Sequence, residues 1–222
     1  MTLKFSTFRH AWVTLLSMLI VQGLAYTHLP DSMPIHWNAS GEIDGHGSKP
    51  WGAWLTPIIF WLFTILMMAV PRLSPHRFSM EPFARLYGTF VAVFACFGFW
   101  LMLLQDAVAL GWPVSLPRQA LFAVGIVYMI LGHRLGKITR NFYFGIRTPW
   151  TMADADVWDR THRLAAPLVM LTGLGVAISA QWDPRAGLAA LLGGSTVGFG
   201  VPTLYSWWIS RQPTAPDPQD TP

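Results

Sequence analysis

A chain of 222 residues with 53% hydrophobic and only 12% charged residues carries about half the roughly 25% charge of a soluble globular domain, which excludes an ordinary water-soluble fold. Its 15 Lys and Arg against 11 Asp and Glu leave a net charge of +4; cations beside anionic headgroups, favoured by about 1 kcal/mol each, account for this without direct nucleic-acid binding. The single cysteine, Cys96, excludes an intrachain disulfide and a cysteine-based metal cluster.

Apolar runs near the ~20 residues needed for a helical span lie at 11–28, 53–70, 88–110, 119–135, 164–181 and 186–208. They predict an all-α, polytopic membrane protein, a bundle of about six transmembrane helices. The first run follows Lys4 and Arg9 as a signal peptide would, yet it continues through Tyr26 past the small-x-small triplet Gly23-Leu24-Ala25 and reads as a retained span. The second and fourth runs are the shortest, leaving re-entrant or tilted passage as the alternative there. With the N-terminus inside, only Lys49, Arg118 and Arg185 of the 15 cations fall outside. That bias predicts a multi-pass protein of the bacterial cytoplasmic (inner) membrane with both termini cytoplasmic.

Between the first two runs lies the outer loop, LPDSMPIHWNASGEIDGHGSKPW, whose prolines and glycines predict a compact, turn-rich backbone with a tight turn at Asp44–Gly45. Trp37 and Trp51 are placed to anchor it in the headgroup region. His36, Glu42, Asp44 and His46 have the chemistry of metal ligands, but their spacing matches no established ligand motif. The reading is a hydrogen-bonded turn scaffold, with no metal or other cofactor. His36, Asn38, Glu42, Asp44 and Lys49 are the ligand-candidate residues of this loop.

The segment 71–87 mixes prolines with basic and aromatic residues and reads as an interfacial connector. Within or near the spans, Gln22, Gln105, Asp106 and His133 are polar groups that are costly in lipid and often functional. Asp106 and His133 stand close to predicted helix ends, so they are assigned as side chains reaching the interface. The links 111–117 and 182–185 read as tight hairpins between antiparallel helices.

The fourth run ends in Arg134, Lys137 and Arg140, cations suited to a helix C-terminus and to headgroups. Gly145 and Pro149 then impose irregular backbone over 141–150, which needs polar partners such as Asn141, Arg147 and Thr148. Thr151 followed by Asp154 matches an N-terminal cap and predicts a helix from Met152. Val157, Trp158 and Thr161 share one face of that helix, with Asp159, Arg160 and Arg163 on another, so it reads as an amphipathic surface helix leading into the fifth span, with a kink at Pro167. The chain has no nucleophile elbow, phosphate loop or HExxH pair, and no enzymatic activity is expected. The segment from Pro213 is proline-rich and predicts disorder.

The order Asn141, Gly145, Arg147, Thr148, Pro149, Trp150, Thr151, Trp158, Thr161, His162, Arg163 resembles the signature of the SdpI family of bacterial integral membrane immunity proteins. Leu29, Pro30, Pro34, His36, Asn38, Gly41, Asp44, Gly45 and Lys49 are similar to a domain of unknown function that often precedes that signature. The resemblance implies resistance to a secreted, membrane-active peptide toxin and, in one family member, sequestration of a cytoplasmic repressor at the membrane. It implies the division 1–86 (first two spans with the outer loop), 87–209 (four-span region with signature loop 141–163) and 210–222 (tail). The expected partners are the lipid bilayer, a peptide toxin and a cytoplasmic repressor. The alternative is a small-solute or lipid transporter.

Overall fold

The computed structural model describes residues 5–38, 40–73, 84–141 and 143–212. The expected disorder from Pro213 and the centre of the basic connector, 74–83, lie outside the described residues. A 3-10 turn, Phe5–Phe8, leads into α1 (Arg9–Ala25) and a second, Tyr26–His28, ends it. Two strands, β1 (Ser32–Trp37) and β2 (Ile43–Ser48), precede α2 (Lys49–Ala69), which closes on a 3-10 turn at Val70–Leu73. Next come α3 (Ala84–Ala109), α4 (Leu116–Leu135), the short α5 (Pro149–Ala153), α6 (Ala155–Trp182) and α7 (Pro184–Ile209).

Six helical segments of 20 to 28 residues are long and apolar enough to cross a membrane. The second and fourth, Lys49–Arg72 and Leu116–Leu135, both reach spanning length, so re-entrant passage is not needed there. Leu24, Leu62, Leu171, Leu192 and Leu204 all point outward from the bundle. Side chains of that kind over whole helix faces belong against lipid, where each helix satisfies its own backbone hydrogen bonds. This is a multi-pass membrane protein.

Local chemistry sets the helix starts. Pro50, Pro117 and Pro184 stand in the first turns of α2, α4 and α7, where their missing N–H costs nothing. Asp183 caps α7 by accepting a hydrogen bond from the Arg185 backbone N–H at 2.9 Å.

The helices sort into two groups of three. In one, α3 packs on α1 and α2; in the other, α6 packs on α4 and α7, while α3 and α4 meet only sparsely. Glycine permits the closest approach in the second group: a Cβ added at Gly125 would lie 2.6 Å from the Gly173 carbonyl oxygen, and one at Gly173 would lie 2.5 Å from that of Gly125. The packing boundary therefore falls between α3 and α4, later in the chain than residue 86.

The outer loop adds a small antiparallel sheet to the helical fold. β1 pairs with β2, with irregular register around His36 and Trp37. The predicted turn is displaced: Asp44 and Gly45 lie inside β2, and the chain reverses over Asn38–Glu42, where Gly41 takes φ +84°. Asn38 explains the shift, because its Oδ1 accepts from the backbone N–H groups of Ser40 (2.9 Å) and Glu42 (3.1 Å) and so closes the turn four residues earlier.

Candidate functional site

The chain directions put the β-hairpin and the α6–α7 link at one end of the bundle, and the segment 136–154 at the other. Both ends join the two helix groups.

At the hairpin end, Gln105 of α3 is the anchor. Its Nε2 donates to the carbonyl oxygens of Pro34 (2.9 Å) and Gly52 (3.1 Å), and its Oε1 accepts from Thr56 Oγ1 at 2.7 Å. One buried side chain thus ties β1, α2 and α3 together. The hairpin tip reaches the other group: Arg185 donates to Ser40 Oγ, and Gly41 faces Pro117 and Pro184.

The ligand-candidate residues here pair locally instead of converging. His36 Nδ1 and Asp44 Oδ1 are 2.5 Å apart, Asn38 donates to Glu42 at 3.0 Å, and Lys49 Nζ lies 5.1 Å from the centre of the Tyr26 ring. His46 is exposed opposite Pro34. Among the described residues no three His, Cys, Asp or Glu side chains converge on a common point.

At the opposite end, the irregular backbone is satisfied residue by residue. Asn141 is buried; its Oδ1 accepts from the N–H groups of Tyr143 (2.8 Å) and Phe144 (2.7 Å), and its Nδ2 donates to the Thr139 carbonyl at 3.0 Å. Gly145 takes φ +106°, and a Cβ there would stand 2.2 Å from His162 Nε2. The contact exists because His162 Nε2 accepts from the Ile146 N–H at 2.9 Å, while Nδ1 donates to the Trp158 carbonyl at 2.8 Å. This defines the neutral Nδ1–H tautomer. Trp158 stacks on His162 with ring centres 4.1 Å apart and donates from Nε1 to the Ile138 carbonyl at 2.7 Å.

The helix start differs from the Thr151 cap expected from the sequence. Thr148 is the N-cap of α5, in a reciprocal box with Thr151, and Asp154 separately caps α6 through the N–H groups of Asp156 (2.7 Å) and Val157 (3.2 Å). Pro149 takes the first helical position, which is why the cap moves three residues earlier. The amphipathic stretch around Val157–Arg163 is not a helix apart from the fifth span, since α6 runs unbroken from Ala155 through Pro167 to Trp182. The expected faces hold, with Val157, Trp158 and Thr161 buried and Asp159, Arg160 and Arg163 exposed, and His162 is buried beside the first set.

Several ties were not foreseen. Arg140 donates to the Met152 (3.2 Å) and Ala153 (2.9 Å) carbonyls, so this cation closes the end of α5 and not that of α4. Trp150 Nε1 donates to Ser206 Oγ at 2.5 Å, and Arg160 donates to Tyr205 Oη at 3.3 Å, fastening the segment to α7. Phe144 packs edge-on against Tyr87 and Phe90 of α3, so the loop bridges both helix groups. Arg147 and Arg163 remain exposed. The spacing Thr151-x-x-Asp154 did signal capping; the contacts of Arg140, Gln105 and Ser206 have no local sequence signal.

Asp106 departs from its assignment. Its side chain is buried in α3, where it faces the buried Gln22. His133 is exposed near the end of α4, as expected of a helix-end side chain.

Residues 137–206 match the model of the SdpI/YfhL protein family, and residues 13–61 match a domain of unknown function (DUF1648). The chain is 23% identical over 155 residues to "Immunity protein SdpI" of Bacillus subtilis (strain 168), covering 70% of this chain and 72% of that relative. No solved structure matches. The family region spans the signature loop with α6 and most of α7, and the other match spans α1, the hairpin and the first half of α2. Over residues 137–206 this membrane protein is therefore similar to the SdpI/YfhL protein family, with a stretch similar to DUF1648 before it at 13–61.

Proposed function

We propose that this protein protects a bacterium against a membrane-active peptide toxin from a place in the cytoplasmic membrane. The similarity to a relative named an immunity protein supports the reading. The observation that carries it is the double bridge: the hairpin joins the two helix groups at one end through Gln105 and Arg185, and the signature loop joins them at the other through Phe144.

The positive-inside bias puts the hairpin outside, where His36, Asn38, Glu42, Asp44 and Lys49 meet the peptide, and the signature loop inside with both termini. Asn141, Gly145, Thr148, Pro149, Thr151, Trp158 and His162 hold the inner loop in shape. Arg147, Trp150 and Arg163 present the face that a cytoplasmic repressor docks on in the signalling form of this function. A relay requires two bundle arrangements that differ in toxin affinity, and the sparse α3–α4 seam is where they would differ. The functional division remains 1–86 and 87–209 with a short tail, although packing groups α3 with the first two spans.

Killing assays in a toxin-sensitive bacterium test this. Wild-type protein raises survival, and Arg147→Ala and Trp150→Ala lower it at equal membrane abundance. Undiminished killing in cells with well-expressed wild-type protein rejects the reading. Labelling of a cysteine placed at 150 from the cell exterior alone rejects the orientation.

A second reading, transport of a small solute or lipid, is favoured by one observation: Asp106 and Gln22, an ionisable and a polar side chain, are buried facing each other in the bundle. Flux in proteoliposomes that depends on Asp106 would put transport first.

A further inference from the structure

The seam between α3 and α4 is open beside the closely packed α4–α6 pair. A cavity of 260 Å³ at the signature-loop end is walled by Phe90 and Val93 of α3, Ile130 and Arg134 of α4, and Phe144 and Gly145 of the loop. A second cavity of 490 Å³ shares Val93 and Ile130 and continues past Trp100 and Phe122 along the same two helices. Together they form one groove along the span, opening sideways where the exposed apolar helix faces meet lipid.

The walls specify the occupant. Nearly every lining side chain is apolar, and the polar ones are already engaged: Thr89 donates to the Arg85 carbonyl at 2.9 Å, Tyr128 Oη is 3.0 Å from Ser195 Oγ, Cys96 Sγ is 3.5 Å from Thr14 Oγ1, and His10 of α1 accepts from Arg9 Nε at 3.2 Å. The exception at the loop end is Arg134, an exposed guanidinium with no carboxylate paired to it among the described residues. A ligand that fits has a long apolar body and one anionic end. An apolar cavity of about 150 Å³ accepts a benzene ring, so the space here takes a flexible chain more readily than a helix about 10 Å across with its side chains. We propose that the α3–α4 groove binds an acyl chain of an anionic glycerophospholipid, with its phosphate on Arg134 and its upper methylenes against Phe144 and Gly145. The bound lipid thereby touches the loop that carries the family signature, and the assignment is independent of whether the protein confers immunity.

The test uses full-length protein reconstituted in vesicles of equal phosphatidylglycerol and phosphatidylcholine, then released for native mass spectrometry. Wild-type protein retains one lipid with about a fivefold preference for phosphatidylglycerol, the factor that one arginine at a headgroup supplies. Arg134→Gln keeps a lipid but loses the preference, and Ile130→Trp, which fills the groove, loses the lipid. In parallel, phosphatidylglycerol with a photoreactive acyl chain labels wild-type Val93, Ile130 or Phe144, a readout that does not depend on how the variants fold. Equal retention of both lipids by wild type and Arg134→Gln, or photolabelling spread over the outward faces of α1 and α7, overturns the proposal. Labelling of Val93 by an added apolar helical peptide in place of lipid overturns it too, and assigns the groove to peptide.

Discussion

His162 holds the backbone of Ile146 from sixteen residues away: its Nε2 accepts the Ile146 N–H at 2.9 Å, with the ring locked by the Nδ1 hydrogen bond to the Trp158 carbonyl at 2.8 Å. The neighbouring Gly145, at φ +106°, is the residue that lets the backbone come this close. Gly145→Ala combines an unfavourable φ with a clash at 2.2 Å. Strain of this kind costs about 1–3 kcal/mol, and the expected result is a lower thermal unfolding midpoint in detergent. His162→Ala leaves the buried Ile146 N–H unpaired at a cost of about 1–3 kcal/mol. An unchanged midpoint in both variants would contradict the described geometry.

Thr151 is the second test of the loop. Its hydroxyl donates to the Ile146 carbonyl at 2.8 Å and accepts from the Thr148 N–H at 2.9 Å, fully buried. Thr151→Val keeps the shape and removes both bonds, so destabilisation of about 1–3 kcal/mol is expected. Thr151→Ser, which retains the hydroxyl, should recover most of it, and the two are compared by denaturant unfolding.

Gln105→Leu fits the apolar helix packing but releases the Pro34 and Gly52 carbonyls. Amide hydrogen exchange over 32–48 is expected to accelerate, while exchange over 137–206 stays as in wild type. Loss of protection across the whole chain would show instead that Gln105 supports the entire bundle.

Asp106→Asn separates the two functional readings. The buried carboxyl has no ion-pair partner among the described residues, and an amide facing Gln22 can exchange hydrogen bonds with it. Protection against toxin is expected to survive the substitution. If the chain is a transporter, flux in proteoliposomes falls with it.

Trp150→Phe removes the hydrogen bond to Ser206 Oγ while keeping an aromatic ring. The loss of one such bond, about 1 kcal/mol, is a small stability change. A drop in survival much larger than that of Thr151→Ser would place Trp150 in a functional contact and not only in the brace to α7.

The six spans were legible in the sequence because run length is a local property, and the Thr151-x-x-Asp154 spacing marked a helix start because a cap acts within a turn of itself. Even there, two adjacent caps competed, and Thr148 prevailed over Thr151 because Pro149 suits only a first helical position. The β-hairpin was read as turns because β2, IDGHGS, has almost no apolar side chains to alternate, and its pairing depends on Asn38 closing the turn. Only the tertiary structure decided that α3 joins α1 and α2, that Gln105 anchors the hairpin, that His162 receives the Ile146 N–H, and that a lipid-facing groove opens between α3 and α4. In a bundle whose helices are all apolar, hydrophobicity does not choose neighbours. Close approach at Gly125 and Gly173, and polar groups that must find partners away from water, make that choice.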